Sequence, residues 1–119
     1  MQLGPWGAFV FTDMLDPAAL ADTAQRVEAL GYSALWYPEV RRYESLSLGG
    51  YLLGATSRLV VASGIANIYG RDPTGAVMGH NGLNELYDGR FLLGLGVSHA
   101  PIVEDMRGQD YGKPLTTMR

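Results

Sequence analysis

Residues 58–73 read RLVVASGIANIYGRDP, and this stretch decides the fold. It begins as a continuous apolar run, which is typical of a strand buried on both faces in a parallel sheet. It then turns polar and reaches Asp72-Pro73, a typical helix start, because Asp caps free N–H groups and Pro suits the first helical position. Polar groups at the carboxyl end of such a strand stand where α/β proteins place ligand sites.

The rest of the chain repeats this alternation of strand and helix. Four apolar runs predict strands at Leu3–Phe11 (regular from about Gly7, because of Pro5), Ser33–Tyr37, Leu59 to about Ala66, and Phe91–Val97. Predicted helices are Asp16-Pro17 to Gly31, with a Leu20/Ala24/Val27/Leu30 stripe, then Leu46–Ala55, then Pro73–Tyr87, with apolar Val77, Leu83 and Leu86. A helical turn at Ile102–Arg107 and a helix beginning at Pro114 follow. The order predicts parallel βα units in one partial domain over residues 1–119.

Composition narrows the class of function. The 119 residues carry a net charge of -3 with no basic cluster, which argues against a nucleic-acid binder. Cysteine is absent, so disulfides and thiolate metal sites are excluded. The N-terminus lacks the pattern of a signal peptide, and no apolar run is long enough to cross a membrane. We therefore expect a cytoplasmic protein with no nucleic-acid or membrane partner.

Polar side chains follow each predicted strand. Because the carboxyl ends of parallel strands meet at one edge, four clusters should converge there: Thr12/Asp13, Glu39 with Arg41/Arg42, Asn67 with Tyr69/Arg71/Asp72, and Ser98/His99. Glu39 is either a general acid/base or a solvated loop carboxylate, and Asn67 either contacts a ligand carbonyl or caps a turn. His99 is a candidate proton-transfer group or ligand donor, whereas Arg71, Asp72 and His80 fit structural roles better.

Several known motifs are excluded. Gly94-Leu-Gly96 has His99 where a dinucleotide fingerprint needs its third Gly, and it lies within the fourth strand rather than after the first. Walker A, H-E-x-x-H and G-x-S-x-G patterns are absent, and His80 and His99 are not at metal-ligand spacing. No metal site is therefore expected, and a small doubly wound nucleotide-binding domain is a weak alternative.

Three segments in this order carry a resemblance to a known family: GYSALWYPE at 31–39, TSRLVVASGIANIYGRDP at 56–73 and GRFLLGLGVSH at 89–99. Together they resemble the luciferase-like monooxygenase family, most closely its branch that uses the deazaflavin coenzyme F420. The resemblance implies a (β/α)8 TIM barrel with F420, or alternatively FMN, at the carboxyl ends of the strands. Such a barrel needs about 250 residues. The chain supplies about the first four βα units, a partial or half barrel.

The resemblance also implies roles for individual residues. Gly64-Ile65 matches a bulge, often with a non-prolyl cis peptide, that backs the deazaflavin ring, and Asn67 matches a residue that hydrogen-bonds the ring. Glu39 and His99 stand where dehydrogenases of the family carry His and Glu, respectively, and both are predicted catalytic, proton-active groups. The predicted cofactor-binding residues are Gly64, Ile65, Ala66, Asn67 and Ser98.

These inferences predict an oxidoreductase that transfers hydride between F420, or a flavin, and an unidentified organic small-molecule substrate. A partial barrel would have open strand edges, so we also expect a homo-oligomer or pairing with a second half-barrel. The alternative is a truncated, non-catalytic half-barrel that acts as an assembly or interaction module.

Overall fold

The computed structural model describes Met1 and residues 3–119 of the chain. Its strands and helices are, in order, β1 Gly7–Phe9, α1 Pro17–Ala29, β2 Ala34–Tyr37, α2 Ser45–Ala55, β3 Val60–Ser63, β4 Ala66–Asn67, α3 Pro73–Leu86, β5 Phe91–Leu92, β6 Leu95–Gly96 and α4 Pro114–Thr117. Short 3-10 turns span Thr12–Met14 and Ile68–Gly70, and a π-helical turn spans Ile102–Met106.

The main sheet is parallel and has the strand order β1-β2-β3-β5, which confirms the predicted βα units. Its register aligns Phe9 with Trp36, Trp36 with Ala62, and Ala62 with Leu92. A second, two-stranded parallel sheet pairs β4 with β6. All four predicted strands therefore point the same way, with their carboxyl ends on one side.

The third and fourth predicted strands are each broken in two. The resemblance implied a bulge in the third strand, whereas the break in the fourth was not predicted. The break in the third lies at Gly64-Ile65, whose peptide bond is cis. The fourth breaks beside it at Gly94, whose N–H donates to Ser63 Oγ at 3.0 Å and whose carbonyl accepts from Ala66 N at 2.7 Å. A side chain at Gly94 would collide with the Ser63 carbonyl oxygen, so the two strands bend together only because this residue is glycine.

Local signals explain where α1 and α3 begin. Asp16 Oδ1 accepts from Ala19 N at 2.8 Å, and Asp72 Oδ1 accepts from Gly75 N at the same distance. Each Asp is followed by Pro at the first helical position, as the sequence predicted. Gly31, with φ +84°, follows α1 in the left-handed conformation.

Two details of the predicted apolar faces are wrong. Leu30 is 75% exposed, because α1 ends at Ala29 and the side chain lies past the last turn that faces the sheet. On α3, Val77 and Leu86 are exposed. A Cβ on Gly79 would collide with Leu46 of α2, so α3 approaches α2 through glycine and not through those apolar residues.

The hydrophobic core lies between the helices and one face of the sheet. Leu35, Tyr37, Val61 and Phe91 point into it from the strands, Leu59 joins them just before β3, and α1 and α2 contribute Leu20, Ala24, Val27, Leu48, Leu52 and Leu53. The opposite face of the sheet carries Phe9, which is 64% exposed. Among the described residues, no helix is long and apolar enough to span a membrane.

Candidate functional site

A pocket of about 280 Å³ lies at the carboxyl ends of the strands. It brings together five of the seven predicted site residues: Glu39, Gly64, Ile65, Ser98 and His99. Pro38, Val40, Val97 and Ile102 complete its lining. Ala66 and Asn67 do not line the pocket, because they are fully buried directly after its wall.

The cis bulge at Gly64-Ile65 forms one wall of this pocket, and main-chain bonds hold it on both sides. Gly64 N donates to the Tyr37 carbonyl at 2.7 Å, and Glu39 N donates to the Ile65 carbonyl at 3.2 Å. A side chain on Gly64 would lie 3.5 Å from Trp36, on the uncovered face of the sheet. Because Gly64 has no side chain, its backbone is not covered on that face.

Glu39 is buried, with 5% of its side chain exposed, which rules out a solvated loop carboxylate. Its Oε2 accepts from Asn67 N at 2.8 Å, and both carboxylate oxygens accept from Arg71 Nη2 at 2.8 Å. The Arg107 guanidinium lies 3.8 Å away. Since both oxygens are bonded within the protein, the geometry favours a positioning role. Proton transfer by Glu39 stays a prediction.

Arg71 links Glu39 to a second carboxylate, that of Glu44, at 2.7 Å. Burial works to lower the pKa of Arg71, but the two carboxylates together raise it above its usual value. Glu44 also caps α2, accepting from the backbone of Leu46 and Ser47. Burial works to raise the pKa of Glu44, but these bonds and Arg71 lower it to about 2. Glu44 is an atypical cap, and the sequence prediction missed it.

Asn67 is the turn cap that one of the two sequence interpretations described. Its Oδ1 accepts from Tyr69 N at 2.9 Å, at the start of the 3-10 turn. Its Nδ2 is buried and has no hydrogen-bond partner among the described residues. An unpaired buried donor costs about 1–3 kcal/mol. Capping therefore leaves one donor of this side chain free, so the ligand-binding interpretation stays open.

Ser98 and His99 form the opposite rim of the pocket. Ser98 has φ +60°, an uncommon conformation for a residue with a side chain and one that concentrates at functional sites. Its carbonyl accepts from the Tyr111 hydroxyl at 3.3 Å, and the Tyr111 ring stacks on that of Tyr69. The His99 side chain is exposed and makes no hydrogen bond or ion pair within the described part of the chain.

The remaining predicted clusters have structural contacts. Asp13 Oδ2 accepts from Arg41 N at 3.0 Å, which joins the first and second strand ends as the convergence predicted. The His80 ring contacts Asn84 at 3.0 Å, in line with its predicted structural role. Among residues 1 and 3–119, no group of three or more potential metal ligands occurs.

Arg107 is the site residue that sequence reasoning missed. Its guanidinium packs on Gly70 and is within ion-pair distance of Glu39. Arg107 is far from Glu39 in the sequence. Its only signal in the sequence is its place just after the polar end of the fourth strand, on the predicted helical turn. That turn is a π-helix in the structure, a form often found near functional sites.

A comparison with protein families decides the classification. The family model for luciferase-like monooxygenases matches residues 6–119. The chain belongs to that family. Its four-stranded parallel sheet with flanking helices is part of a TIM barrel, as the resemblance implied.

Three known proteins are similar to the chain in sequence or in fold. Over all 119 residues it is 29% identical to a Mycobacterium tuberculosis protein named as a coenzyme F420-dependent oxidoreductase, of which it covers 33%. The fold matches that of F420-dependent tetrahydromethanopterin reductase from Methanopyrus kandleri, with a TM-score of 0.77 and 21% identity over 86% of this chain and 29% of that one. It also matches an F420-dependent secondary alcohol dehydrogenase in complex with an F420-acetone adduct, with a TM-score of 0.78 and 18% identity over 87% and 34%. The chain spans about a third of the length of each.

Proposed function

We propose that this chain forms the cofactor-ring side of the active site of an F420-dependent oxidoreductase acting on a small organic substrate. The observation that carries the proposal is the pocket at the strand ends, with the cis Gly64-Ile65 bulge as one wall and His99 at its rim. Family membership supplies the reaction class, and the three relatives, all named for F420, favour F420 over FMN.

The residues present fit a flat, polar-edged ring. Gly64 adds no side chain to the wall, so a planar group can approach the backbone closely. Asn67, directly after the wall, keeps an unpaired Nδ2 that could donate to a polar edge of the ring. The pocket volume, about 280 Å³, is slightly below the range of about 300–1,000 Å³ that is usual for small-molecule sites. We therefore assign ring contact to Gly64, Ile65 and Ser98, which line the pocket, and place the buried Ala66 and Asn67 directly behind that wall.

When bound, F420 supplies the hydride chemistry, and the protein supplies orientation and proton transfer. His99 is our candidate for the proton, because its imidazole lines the pocket, is exposed and has no hydrogen-bond partner among the described residues. Glu39 holds the wall from behind. Its carboxylate oxygens face Arg71 and the Asn67 amide, which makes it a weaker candidate for direct proton transfer than His99.

A non-catalytic assembly module is not favoured. A module of that kind needs no pocket at its strand ends, no buried polar side chain with a free donor, and no residue with positive φ at a pocket rim. All three features occur together here, and each is of a kind that concentrates at ligand sites.

Cofactor titration tests the proposal. Purified chain is titrated with F420 and, separately, with FMN, while the fluorescence and absorbance of the ring are recorded. We expect F420 to bind at micromolar concentration and more tightly than FMN. Saturable binding of neither cofactor would reject the proposed function, and tighter binding of FMN would reject the choice of cofactor.

A substitution in the wall locates the binding site. Gly64→Ala adds one methyl group at an ordinary 3.5 Å contact with Trp36, so the fold should tolerate it. The methyl group should hold the ring off the backbone and weaken F420 binding about tenfold. Gly82→Ala is the matched control, because a Cβ there meets nothing within 4 Å on α3. Equal affinities for the two variants would place the ring elsewhere.

A further inference from the structure

A partly buried charge cluster joins Glu39, on the pocket lining, to Arg71, Glu44 and Arg107. Arg71 is at its centre, with 8% of its side chain exposed, between Glu39, Glu44 and the more distant Arg107. Buried ion pairs often contribute little net stability, because removing the charges from water is costly. The geometry of the contacts therefore needs a reason beyond attraction between opposite charges.

Two side chains of the cluster form hydrogen bonds with the main chain of Asn67, one with its N–H and one with its carbonyl. Asn67 N donates to Glu39 Oε2 at 2.8 Å, and the Asn67 carbonyl accepts from Arg71 Nη1 at 2.8 Å. The main-chain N–H of Glu39 holds the Ile65 carbonyl in turn. The segment from Ile65 to Asn67, which continues directly from the pocket wall, is thus fixed by the same ion pair that spans it.

Arg71 is suited to this task by its shape. Its Nη1 reaches the Asn67 carbonyl while its Nη2 contacts both carboxylates, so one planar guanidinium satisfies three partners at once. A lysine ammonium has neither this reach nor this fixed fork. Because Glu44 caps α2, the contacts of Arg71 also connect the pocket wall to the start of a helix that packs in the core.

We propose that Arg71 is a positioning residue that holds the Ile65–Asn67 segment, and with it the pocket wall, in the geometry that receives the cofactor ring. This inference rests on the proposed function. It adds a determinant of ring affinity that touches neither ring nor substrate, and it predicts that mobility of the wall and affinity for F420 change together.

The test compares Arg71→Met/Glu39→Gln with the unaltered chain. Replacing both members avoids stranding a buried charge, and the glutamine carbonyl can still accept from Asn67 N. The double variant therefore lacks the hydrogen bond that Arg71 donates to the Asn67 carbonyl but keeps a partner for the Asn67 N–H. Arg71→Lys is the conservative variant. Arg26→Met is the matched control, since Arg26 pairs with Asp22 at 3.9 Å on the exposed surface.

Two measurements are made on each protein. Amide hydrogen exchange without cofactor should show about tenfold faster exchange at Ala66 and Asn67 in the double variant, because an opening that costs one hydrogen bond less is about that much more frequent. F420 titration should show about tenfold weaker binding and a shifted absorbance maximum of the bound ring. Arg71→Lys should recover part of both effects, and Arg26→Met should show neither.

The outcomes separate the two claims. If the unaltered chain binds F420 and the double variant binds it equally well with the same spectrum, Arg71 is only structural and the inference is overturned. Unchanged exchange at residues 66 and 67 overturns it as well. If the unaltered chain does not bind F420, the proposed function fails and this inference fails with it.

Discussion

Removing the arginine alone should destabilise the chain strongly. In Arg71→Met, Glu39 is deprived of the 2.8 Å hydrogen bonds that both its oxygens accept from Arg71, while its side chain stays 5% exposed. It keeps only the Asn67 N–H and the Arg107 guanidinium at 3.8 Å. Stranding one member of a buried pair costs roughly 3–5 kcal/mol. Because Arg107 remains nearby and the half-exposed Glu44 can turn to water, we expect the lower figure, about 3 kcal/mol.

Urea unfolding followed by far-UV circular dichroism measures this destabilisation, and thermal unfolding should show a fall in Tm of about 10 °C. Three variants complete a double-mutant cycle: Arg71→Met, Glu39→Gln and the two combined. The double variant should recover about 1 kcal/mol or more relative to Arg71→Met, because it no longer buries an unpaired charge. Arg26→Met should change the free energy of unfolding by less than about 0.5 kcal/mol, since its ion pair is exposed.

The reasoning is refuted by either of two results. A destabilisation below about 1 kcal/mol for Arg71→Met would mean that water reaches Glu39 and that the pair is not buried in solution. A double variant as unstable as the sum of the two single variants would mean that Glu39 and Arg71 are not coupled.

Three further predictions concern the core, helix α3 and the far end of the sheet. Gly49→Ala should destabilise the chain by about 1–3 kcal/mol through overpacking, because its Cβ would lie 2.7 Å from Phe91, whereas Gly82→Ala on α3 should stabilise by about 0.5–1 kcal/mol in the same urea assay. Burial works to raise the pKa of Glu28, but bonds from the 57–59 backbone hold it below its usual 4.5. Its stabilising effect is therefore present above that value and is lost as the pH falls through the lowered one. Glu28→Gln should cost about 1 kcal/mol at neutral pH and much less near pH 2, and an equal cost at both would contradict this sign.

Local sequence signals predicted the order of elements well. Asp16-Pro17 and Asp72-Pro73 begin α1 and α3, because the cap and the first helical residue are neighbours in the chain and need no tertiary contact. Continuous apolar runs predicted buried parallel strands for a similar reason. The Asp-Pro helix start and the apolar strand run both depend on residues of a single segment, so they predict the same element in any fold of this class.

Tertiary contacts account for what the sequence did not predict. The unpredicted break at Gly94 accompanies the bulge at Gly64-Ile65 that the resemblance implied, since Gly94 must admit the Ser63 carbonyl before the strands can bend together. Val77 is exposed because α3 packs against Leu46 of α2 at Gly79, and this contact sets which face of α3 points inward. Neither contact joins neighbours in the sequence.

Position at the end of a strand does not by itself separate residues that bind from residues that hold the backbone; the partners of each side chain do. Glu39 and Asp13 both stand at strand ends, and both accept hydrogen bonds from the backbone of a neighbouring loop. His99 and Asn67 stand at equivalent ends, but the imidazole and the amide Nδ2 have no partner among the described residues. Free hydrogen-bonding capacity beside a pocket is what a ligand can use. By this criterion, we propose His99 for the chemistry of the site and Asn67 for recognition, and we propose that the charges of Glu39 and Arg71 hold the wall.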